Sequence, residues 1–203
     1  MGGIVAFEMA QQLHAQGQRV ALLALLDARM PTPDEKFAEE DFAARLLVDF
    51  VRYFGLSLDP WESLARLPKD ELLTRVLEQA KRASLVPQEI EVSQAHRFVQ
   101  LLKTDFRATR NYVLHLYPSR VTLFKASEEL AGTSPDPTLG WSEWAAGGVE
   151  VHVVPGNHAN MVYKPHVEVL AEKLRACLNQ VQSAEVMVHR WSQSTAQLLK
   201  EAQ

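Results

Sequence analysis

Two residues of the sequence combine the side-chain chemistry and the chain position that acid–base catalysis requires. Asp27 directly follows the apolar run Val20 to Leu26, and His158 stands four residues beyond the apolar stretch Val149 to Val154. Functional residues of open parallel sheets gather just beyond the carboxyl ends of the strands. A carboxylate beside an imidazole fixes the tautomer of the ring, which can then act as a general base. We therefore expect Asp27 and His158 to pair from neighbouring strand ends, although each residue also has an ordinary use as a turn former or a surface residue.

A nucleophile to complete such a site is missing from the sequence. The sharp turn that exposes a catalytic serine carries the pattern Gly-x-Ser-x-Gly, and the chain holds no complete copy of it. The nearest match, at Ser142 within Gly140 to Trp144, lacks the second glycine and follows no apolar strand. The single cysteine, Cys177, lies among leucines of a helical segment, which favours a place in the core or on the helix surface over a reactive thiol.

The other candidate sites are weaker. The remaining histidines, at positions 14, 96, 115, 152, 166 and 189, show no spacing typical of metal ligands. A single cysteine also excludes an internal disulfide and a Cys-based metal cluster. Gly2-Gly3 is too short to cradle a phosphate, and Arg107 and Arg110 are expected on a solvated helical face.

Composition is typical of a soluble globular protein. The chain has 203 residues, 47% of them hydrophobic and 23% charged, which excludes a disordered chain or a disulfide-stapled miniprotein. The net charge of −4 gives no sign of the excess of basic residues that binds nucleic acid. The apolar run Val20 to Leu26 is too short to span a bilayer, and polar residues such as Glu8 interrupt any secretory signal. We expect a cytoplasmic protein with no nucleic-acid or membrane partner.

The hydrophobic pattern predicts the elements that position Asp27. Met1 to Gln16 predicts a helix that is apolar almost all round, buried on several sides and ended by Gly17. The continuous apolar run Val20 to Leu26 then predicts a parallel strand covered on both faces. Pro31 and Pro33 prevent a helix from starting directly after this strand.

The rest of the pattern is helical and then returns to strands. Helices are predicted from about 35 to 116, strands at 121–124 and 149–154, and a closing helix at about 165–182. Residues 183–203 are predicted to form a weakly amphipathic tail, with a loose helix as one possible form. Alternating strands and helices indicate an α/β fold with a parallel sheet. Because three strands are few and the chain opens inside a buried helix, we expect the second half of an α/β domain.

The chain resembles the thioesterase domains that end polyketide synthases and non-ribosomal peptide synthetases, which are α/β-hydrolases. The residues that carry the resemblance are Met1-Gly2-Gly3-Ile4-Val5-Ala6-Phe7-Glu8-Met9-Ala10, Leu13, Gly17, Val20, Leu25-Leu26-Asp27, Val121–Ala126, Leu139-Gly140-Trp141 and Pro155-Gly156-Asn157-His158. The resemblance implies a partial α/β-hydrolase fold over about 1–182, with a helical lid over about 35–117 and a tail at 183–203.

The resemblance also implies roles for individual residues. In this family Met-Gly-Gly directly follows the nucleophilic serine, so the serine is expected just before Met1 and is absent here. Asp27 matches the acid of the catalytic triad and His158 its general base. Met1 matches the residue whose backbone N–H serves the oxyanion hole, a role that a free amino terminus does not fill as a peptide N–H does. Asp136 is an alternative acid, because many α/β-hydrolases place the acid after the next strand.

The implied activity is acyl transfer by a Ser-His-Asp triad. An acyl, polyketide or peptidyl chain, delivered on the phosphopantetheine of an acyl or peptidyl carrier protein, is released by hydrolysis or cyclisation, and no cofactor is bound directly. Without the serine, the chain itself is expected to be inactive. Two alternatives are a non-catalytic module that binds acyl chains or carrier proteins, and another α/β-hydrolase that acts on small esters.

Overall fold

A small parallel sheet flanked by helices forms the described part of the chain. The computed structural model describes residues 2–30, 48, 61–64, 66–129 and 136–201. Its elements are α1 (Gly2–Ala15), β1 (Ala24–Leu26), α2 (Trp61–Leu64), α3 (Lys69–Arg82), α4 (Val92–Asn111), β2 (Val121–Ala126), a 3-10 turn (Trp141–Glu143), β3 (Val149–Val154) and α5 (His166–Glu201). Strands and helices alternate as predicted, and the α/β class is confirmed.

The three strands are parallel and lie in the order β1-β2-β3. The central strand β2 is the most deeply buried, since Val121, Leu123 and Phe124 are all inaccessible to solvent. Strand β1 is shorter than the predicted run from Val20, because only Ala24–Leu26 lies opposite β2. Leu26 at its end is exposed, so the prediction of cover on both faces is wrong at that residue.

Helix α1 packs on the sheet through one face. Ile4, Phe7 and Ala10 are buried, and the Phe7 ring lies 5.0 Å from the ring of Trp141. The prediction of burial on several sides is wrong among the described residues, because Val5 and Met9 are 49% and 59% exposed. The apolar pattern alone does not tell which faces of a helix meet a neighbour.

Gly17 ends α1 as predicted. Its φ of 74° lies in the left-handed region, which glycine adopts without steric cost. The N–H of Gln18 reaches back to the carbonyl of Leu13 at 2.9 Å, a bond typical of a glycine helix cap. The chain then turns directly towards β1.

The predicted helical block is described in part. Helix α3 begins after Pro68 and buries Leu72, Val76 and Leu77, the residues whose spacing predicted it. Helix α4 begins at Val92, as predicted. The segment marked by Phe42, Leu46 and Phe50 lies outside the described residues, and so does much of the first half of the predicted 35–117 lid.

The closing helix α5 continues to Glu201, so the helical form considered for the tail at 183–203 is present and runs on from the closing helix without a break near 182. No glycine or proline stands between His166 and Gln203 to end it. Its buried residues Leu170 and Cys177 pack with Phe124 and Val154 on the sheet. Among the residues that the structure describes, no helix is long and apolar enough to cross a membrane.

Candidate active site

Asp27 occupies a strained backbone position at the carboxyl end of β1. Its φ of 45° lies in the left-handed region, which is uncommon for residues other than glycine. Two bonds to the neighbouring strand hold it there: its N–H donates to the Phe124 carbonyl at 2.7 Å, and its Oδ1 accepts from the Ala126 N–H at 2.9 Å. Backbone strain of this kind persists where the surroundings fix the conformation, and it clusters at functional sites.

His158 is carried by a short loop after β3 that is closed by two asparagines. The side-chain oxygen of Asn157 accepts from the N–H groups of Ala159 and Asn160, both at 3.0 Å. The side-chain oxygen of Asn160 in turn accepts from the Asn157 N–H at 2.7 Å. Gly156 opens the loop with a φ of 90°, and a Cβ built there would lie 2.2 Å from the Asn160 oxygen. The loop therefore has little freedom at the residues on either side of His158.

The structure brings Asp27 and His158 together. The Nδ1 atom of His158 lies 3.0 Å from Oδ2 of Asp27. The expectation that they come from neighbouring strand ends is wrong, because β2 lies between β1 and β3. The segment after β2 bridges the gap, since the N–H of Glu128 donates to the Gly156 carbonyl at 2.9 Å while Ala126 contacts Asp27.

Electrostatics keep the Asp27 carboxylate ionised. Burial raises its pKa, but the hydrogen bonds from His158 and from the Ala126 N–H, together with the charge of Arg29, outweigh burial and leave the pKa below its ordinary value. The carboxylate is 15% exposed and the imidazole 55%. With a proton on Nδ1, the ring donates to Asp27 and carries a lone pair on Nε2. That arrangement suits a general base.

Asp136, the alternative acid, accepts hydrogen bonds within its own turn. The N–H groups of Thr138 and Gly140 donate to its two carboxylate oxygens at 2.8 and 2.6 Å. Burial raises the pKa of Asp136, but these bonds outweigh it and lower the pKa overall. The same turn carries Trp141, whose indole N–H donates to the Ala28 carbonyl at 2.6 Å. Asp136 thus shapes the turn that supports the residue after Asp27.

The remaining predicted positions fall elsewhere. Met1 lies outside the described residues. Ser142 lies in the 3-10 turn, where its hydroxyl oxygen accepts from Thr138 Oγ1 at 3.1 Å. Cys177 is buried in α5, as predicted, and burial together with the charge of Glu150 raises its pKa.

Two features were missed at the level of sequence. One is the Asn157–Asn160 pair, whose i, i+3 spacing is the signal of a side-chain cap. The other is a cluster of Glu150, His152 and Cys177, whose ligand atoms lie within 4.8 Å of one another. Glu150 and His152 stand two apart in a strand, but nothing in the sequence places Cys177 beside them.

Comparisons with known proteins agree on one family. Residues 1–178 match the family model described as Thioesterase domain. Chondramide synthase cmdD of Chondromyces crocatus is 26% identical over 185 residues, which cover 86% of this chain and 5% of that synthase. The chain thus spans a small fraction of the curated relative that it matches.

Solved structures share the fold. A four-domain non-ribosomal peptide synthetase, AB3403, is 24% identical with a TM-score of 0.70, over 85% of this chain and 13% of that one. The Vlm2 thioesterase domain bound with a dodecadepsipeptide is 25% identical with a TM-score of 0.57, over 87% of this chain and 63% of that one. The predicted α/β-hydrolase fold of thioesterases is confirmed. The chain belongs to the thioesterase domain family.

Proposed function

We propose that the chain supplies the acid and the base of a thioesterase that releases an acyl, polyketide or peptidyl chain from a carrier-protein phosphopantetheine thioester. The observation that carries the proposal is the contact between His158 Nδ1 and Asp27 Oδ2 at 3.0 Å, beyond the carboxyl ends of parallel strands. Membership of the thioesterase domain family supports the reaction class. In this proposal Asp27 acts as the acid, while Asp136 supports the turn beside it.

The proposed reaction has two acyl transfers. In the first, Nε2 of His158 takes the proton of a serine hydroxyl as the serine oxygen attacks the thioester carbonyl. The C–S bond then breaks, and the departing pantetheine thiolate takes the proton back from His158. In the second, His158 removes a proton from water, or from a hydroxyl or amine of the acyl chain, which attacks the acyl-serine ester. The ester C–O bond to the serine then breaks, and the serine oxygen takes the proton back from His158. Asp27 stabilises the imidazolium in both steps.

In this proposal the nucleophilic serine is the residue directly before Met1. Ser142 and Cys177, the two other nucleophiles considered, have other contacts. The Ser142 hydroxyl is hydrogen-bonded to Thr138, and the Cys177 thiol faces His152. The 203-residue chain alone is therefore proposed to form no acyl-enzyme. Loss of a triad nucleophile costs on the order of a million-fold in rate in other serine hydrolases.

The proposed substrate class follows from the relatives. Chondramide synthase and AB3403 are named as a synthase and a non-ribosomal peptide synthetase, and the Vlm2 domain holds a dodecadepsipeptide. We therefore favour a peptidyl or related chain on a carrier protein. The paired Asp27 and His158 argue against a purely binding module, because binding alone makes no use of an imidazole oriented by a carboxylate.

A fluorophosphonate probe tests the proposal, because it reacts covalently with an activated serine. The 203-residue chain is treated beside a longer chain that includes the residues encoded upstream of Met1. We expect the longer chain alone to be labelled, with labelling lost on His158→Ala and retained on His14→Ala, an exposed histidine at the end of α1. Labelling of the 203-residue chain would overturn the assignment of the nucleophile, and labelling of neither would favour a binding module.

A further inference from the structure

Three side chains of types that can bind a metal ion lie together on the face of β3 that α5 covers. Glu150 and His152 stand two residues apart in β3, which places them on one face of the strand. Cys177 lies on α5, and its sulfur faces them across the contact between helix and strand. The Nε2 atom of His152 lies 3.0 Å from Oε1 of Glu150 and 3.4 Å from the Cys177 sulfur. The three ligand atoms all lie within 4.8 Å of one another.

The surroundings hold each of the three groups in place. The His152 ring stacks on Phe124, with centroids 5.2 Å apart and an interplanar angle of 20°. Arg120 binds Oε2 of Glu150 at 3.0 Å, which leaves Oε1 directed at His152. Cys177 is buried, whereas His152 and Glu150 are partly exposed. The cluster is therefore held in place by Phe124 and Arg120, and its His152 and Glu150 side chains are accessible to solvent.

We propose that Glu150, His152 and Cys177 form a zinc-binding site. Zinc bonds of about 2.0–2.1 Å to nitrogen and about 2.3 Å to sulfur, in tetrahedral geometry, place neighbouring ligand atoms roughly 3.5 Å apart. The nitrogen–sulfur distance of 3.4 Å already matches that value, and the nitrogen–oxygen distance of 3.0 Å is close to it. A thiolate and an imidazole favour Zn²⁺ over Mg²⁺ or Ca²⁺, which prefer oxygen ligands. Three protein ligands leave the fourth position for water.

This site is of a different kind from the metal sites that the sequence analysis excluded. One cysteine cannot build a cluster of several thiolates, and no pair of histidines has a ligand spacing on one helix. A mixed site with one thiolate, one imidazole and one carboxylate needs neither feature. Its ligands come from a strand and from a helix about 25 residues later in the chain, so only the fold brings them together.

Binding at this site is a ligand exchange without a change of oxidation state. The S–H bond of Cys177 breaks, its proton passes to water, and a zinc–sulfur bond forms. His152 binds through the Nε2 lone pair with its ring proton on Nδ1, and Oε1 of Glu150 exchanges its contact with Nε2 for the third bond. The hydrated ion releases a water for each protein ligand that it gains. Arg120 keeps its contact with the other carboxylate oxygen and orients the ligand, as groups around metal ligands commonly do. The bound ion joins β3 to α5.

The first test is a cobalt titration of the full 203-residue chain without a histidine tag. Co²⁺ replaces Zn²⁺ in such sites, and a cobalt–thiolate bond gives a near-ultraviolet charge-transfer band. We expect the band to saturate at one equivalent and to disappear when Zn²⁺ is added. We expect Cys177→Ser to abolish it and Glu150→Gln to weaken binding by about tenfold or more.

A matched control uses a second histidine–carboxylate pair. Nε2 of His96 lies 2.9 Å from Oδ1 of Asp70 between α3 and α4. His96→Ala is expected to leave the cobalt band unchanged, whereas His152→Ala removes it. A band that persists in Cys177→Ser, or that is absent from the unmodified chain, would overturn the proposal.

A second measurement needs no variant. Cys177 is the single thiol of the chain, so alkylation by iodoacetamide reports on it alone. We expect one equivalent of Zn²⁺ to slow alkylation by about tenfold or more, and a chelator to restore the rate. An equal rate with and without Zn²⁺ would contradict the site. Neither measurement involves acyl transfer, so failure here leaves the proposed thioesterase activity untouched.

Discussion

Asp27 uses both carboxylate oxygens and a strained backbone to orient one imidazole. Oδ1 accepts from the Ala126 N–H, Oδ2 faces His158, and the left-handed φ of 45° aims the side chain across β2. An asparagine in its place keeps an acceptor for Ala126 but presents an N–H₂ group to His158. The ring then loses the acceptor for a proton on Nδ1, and in the proposed mechanism Nε2 no longer serves as the base.

This geometry predicts the effect of Asp27→Asn on the longer, serine-containing chain. We expect fluorophosphonate labelling to slow by about 10⁴-fold, the cost of the same change in serine proteases. The labelling rate at pH 7 is the measurement. Asp136→Asn is the matched comparison, because Asp136 lies in the turn beside the site; a slowing by Asp136→Asn as large as that by Asp27→Asn would contradict the choice of acid.

Asp27 also predicts a dependence of stability on pH. Its pKa is lowered in the folded chain, so its contribution to stability is present above the ordinary aspartate pKa of about 3.9 and is lost as the pH falls through the lower folded value. We expect the free energy of unfolding of the unmodified chain to fall towards that of Asp27→Asn as the pH drops from about 5 to about 2. Urea denaturation of both chains at several pH values measures this. A constant difference over the range would show that the Asp27 charge contributes nothing.

The contact between Asp27 and His158 could be predicted from sequence, but the bonds that support it could not. Asp27 follows an apolar run and His158 follows a strand and a Pro-Gly turn, so position alone marked both. The intervening strand β2 and the bridging bond from Glu128 to Gly156 depend on strand order, which the hydrophobic pattern does not encode. The contact between Cys177 and His152 likewise depends on how α5 packs against β3, which the hydrophobic pattern does not encode.

At the scale of elements, the His158 loop depends on a glycine that no other residue replaces. A Cβ at Gly156 would lie 2.2 Å from the Asn160 oxygen and 2.8 Å from Cδ2 of His166, at a φ of 90°. Gly148 has a similar φ of 81° but no atom within 4 Å of the same position. The two glycines therefore separate crowding from backbone strain.

This contrast gives a prediction on loop stability. We expect Gly148→Ala to cost about 1–3 kcal/mol from backbone strain alone, and Gly156→Ala to cost about 1–3 kcal/mol more from crowding. Only Gly156→Ala should slow labelling of the longer chain, because it displaces the Asn157–Asn160 pair that flanks His158. Urea denaturation gives the stability, and equal losses in the two variants would show that the loop absorbs the added methyl group.

A hydrogen bond between helices joins α1 to the end of α4. The Tyr112 hydroxyl donates to the Glu8 carboxylate, which also accepts from Gln12 at 2.8 Å. These two bonds lower the pKa of Glu8. We expect Tyr112→Phe to lower the free energy of unfolding by about 1–2 kcal/mol, and Gln12→Ala, which removes an exposed bond to the same carboxylate, to cost much less. Equal losses of unfolding free energy in the two variants would contradict a stabilising role for the hydrogen bond between α1 and the end of α4.

The elements themselves followed from the sequence where a local signal existed. Gly17 and Pro68 mark the end of α1 and the start of α3, as local backbone chemistry requires. The exposure of Val5 and Met9 and the shortness of β1 are set by what lies opposite them, which is not a local property. Sequence patterns thus predicted element boundaries where a glycine or proline marks them, as at Gly17 and Pro68, but not the start of β1, the end of α5 or the covered faces.

At the scale of the whole molecule, two cores lie on opposite sides of the sheet. Phe7 and Trp141 belong to the core under α1, whereas Phe124 and Cys177 belong to the core under α5. The family match ends at residue 178, one residue after Cys177. Among the α5 residues whose side chains are described, Cys177 is the last that belongs to this core, while the helix itself runs to Glu201.

This division predicts the result of two truncations of α5. Removal of 183–203 leaves Leu170 and Cys177 in place, so we expect the melting temperature to change by a few degrees at most and zinc binding to persist. Removal of everything after Ala176 takes Cys177 out of the core that also holds Phe124 and Val154. Because loss of a buried core side chain costs about 2–5 kcal/mol, we expect this shorter chain to melt much earlier or to fail to fold. Thermal unfolding followed by circular dichroism compares the two, and a large loss on removal of 183–203 would mean that the extension of α5 belongs to the folded domain.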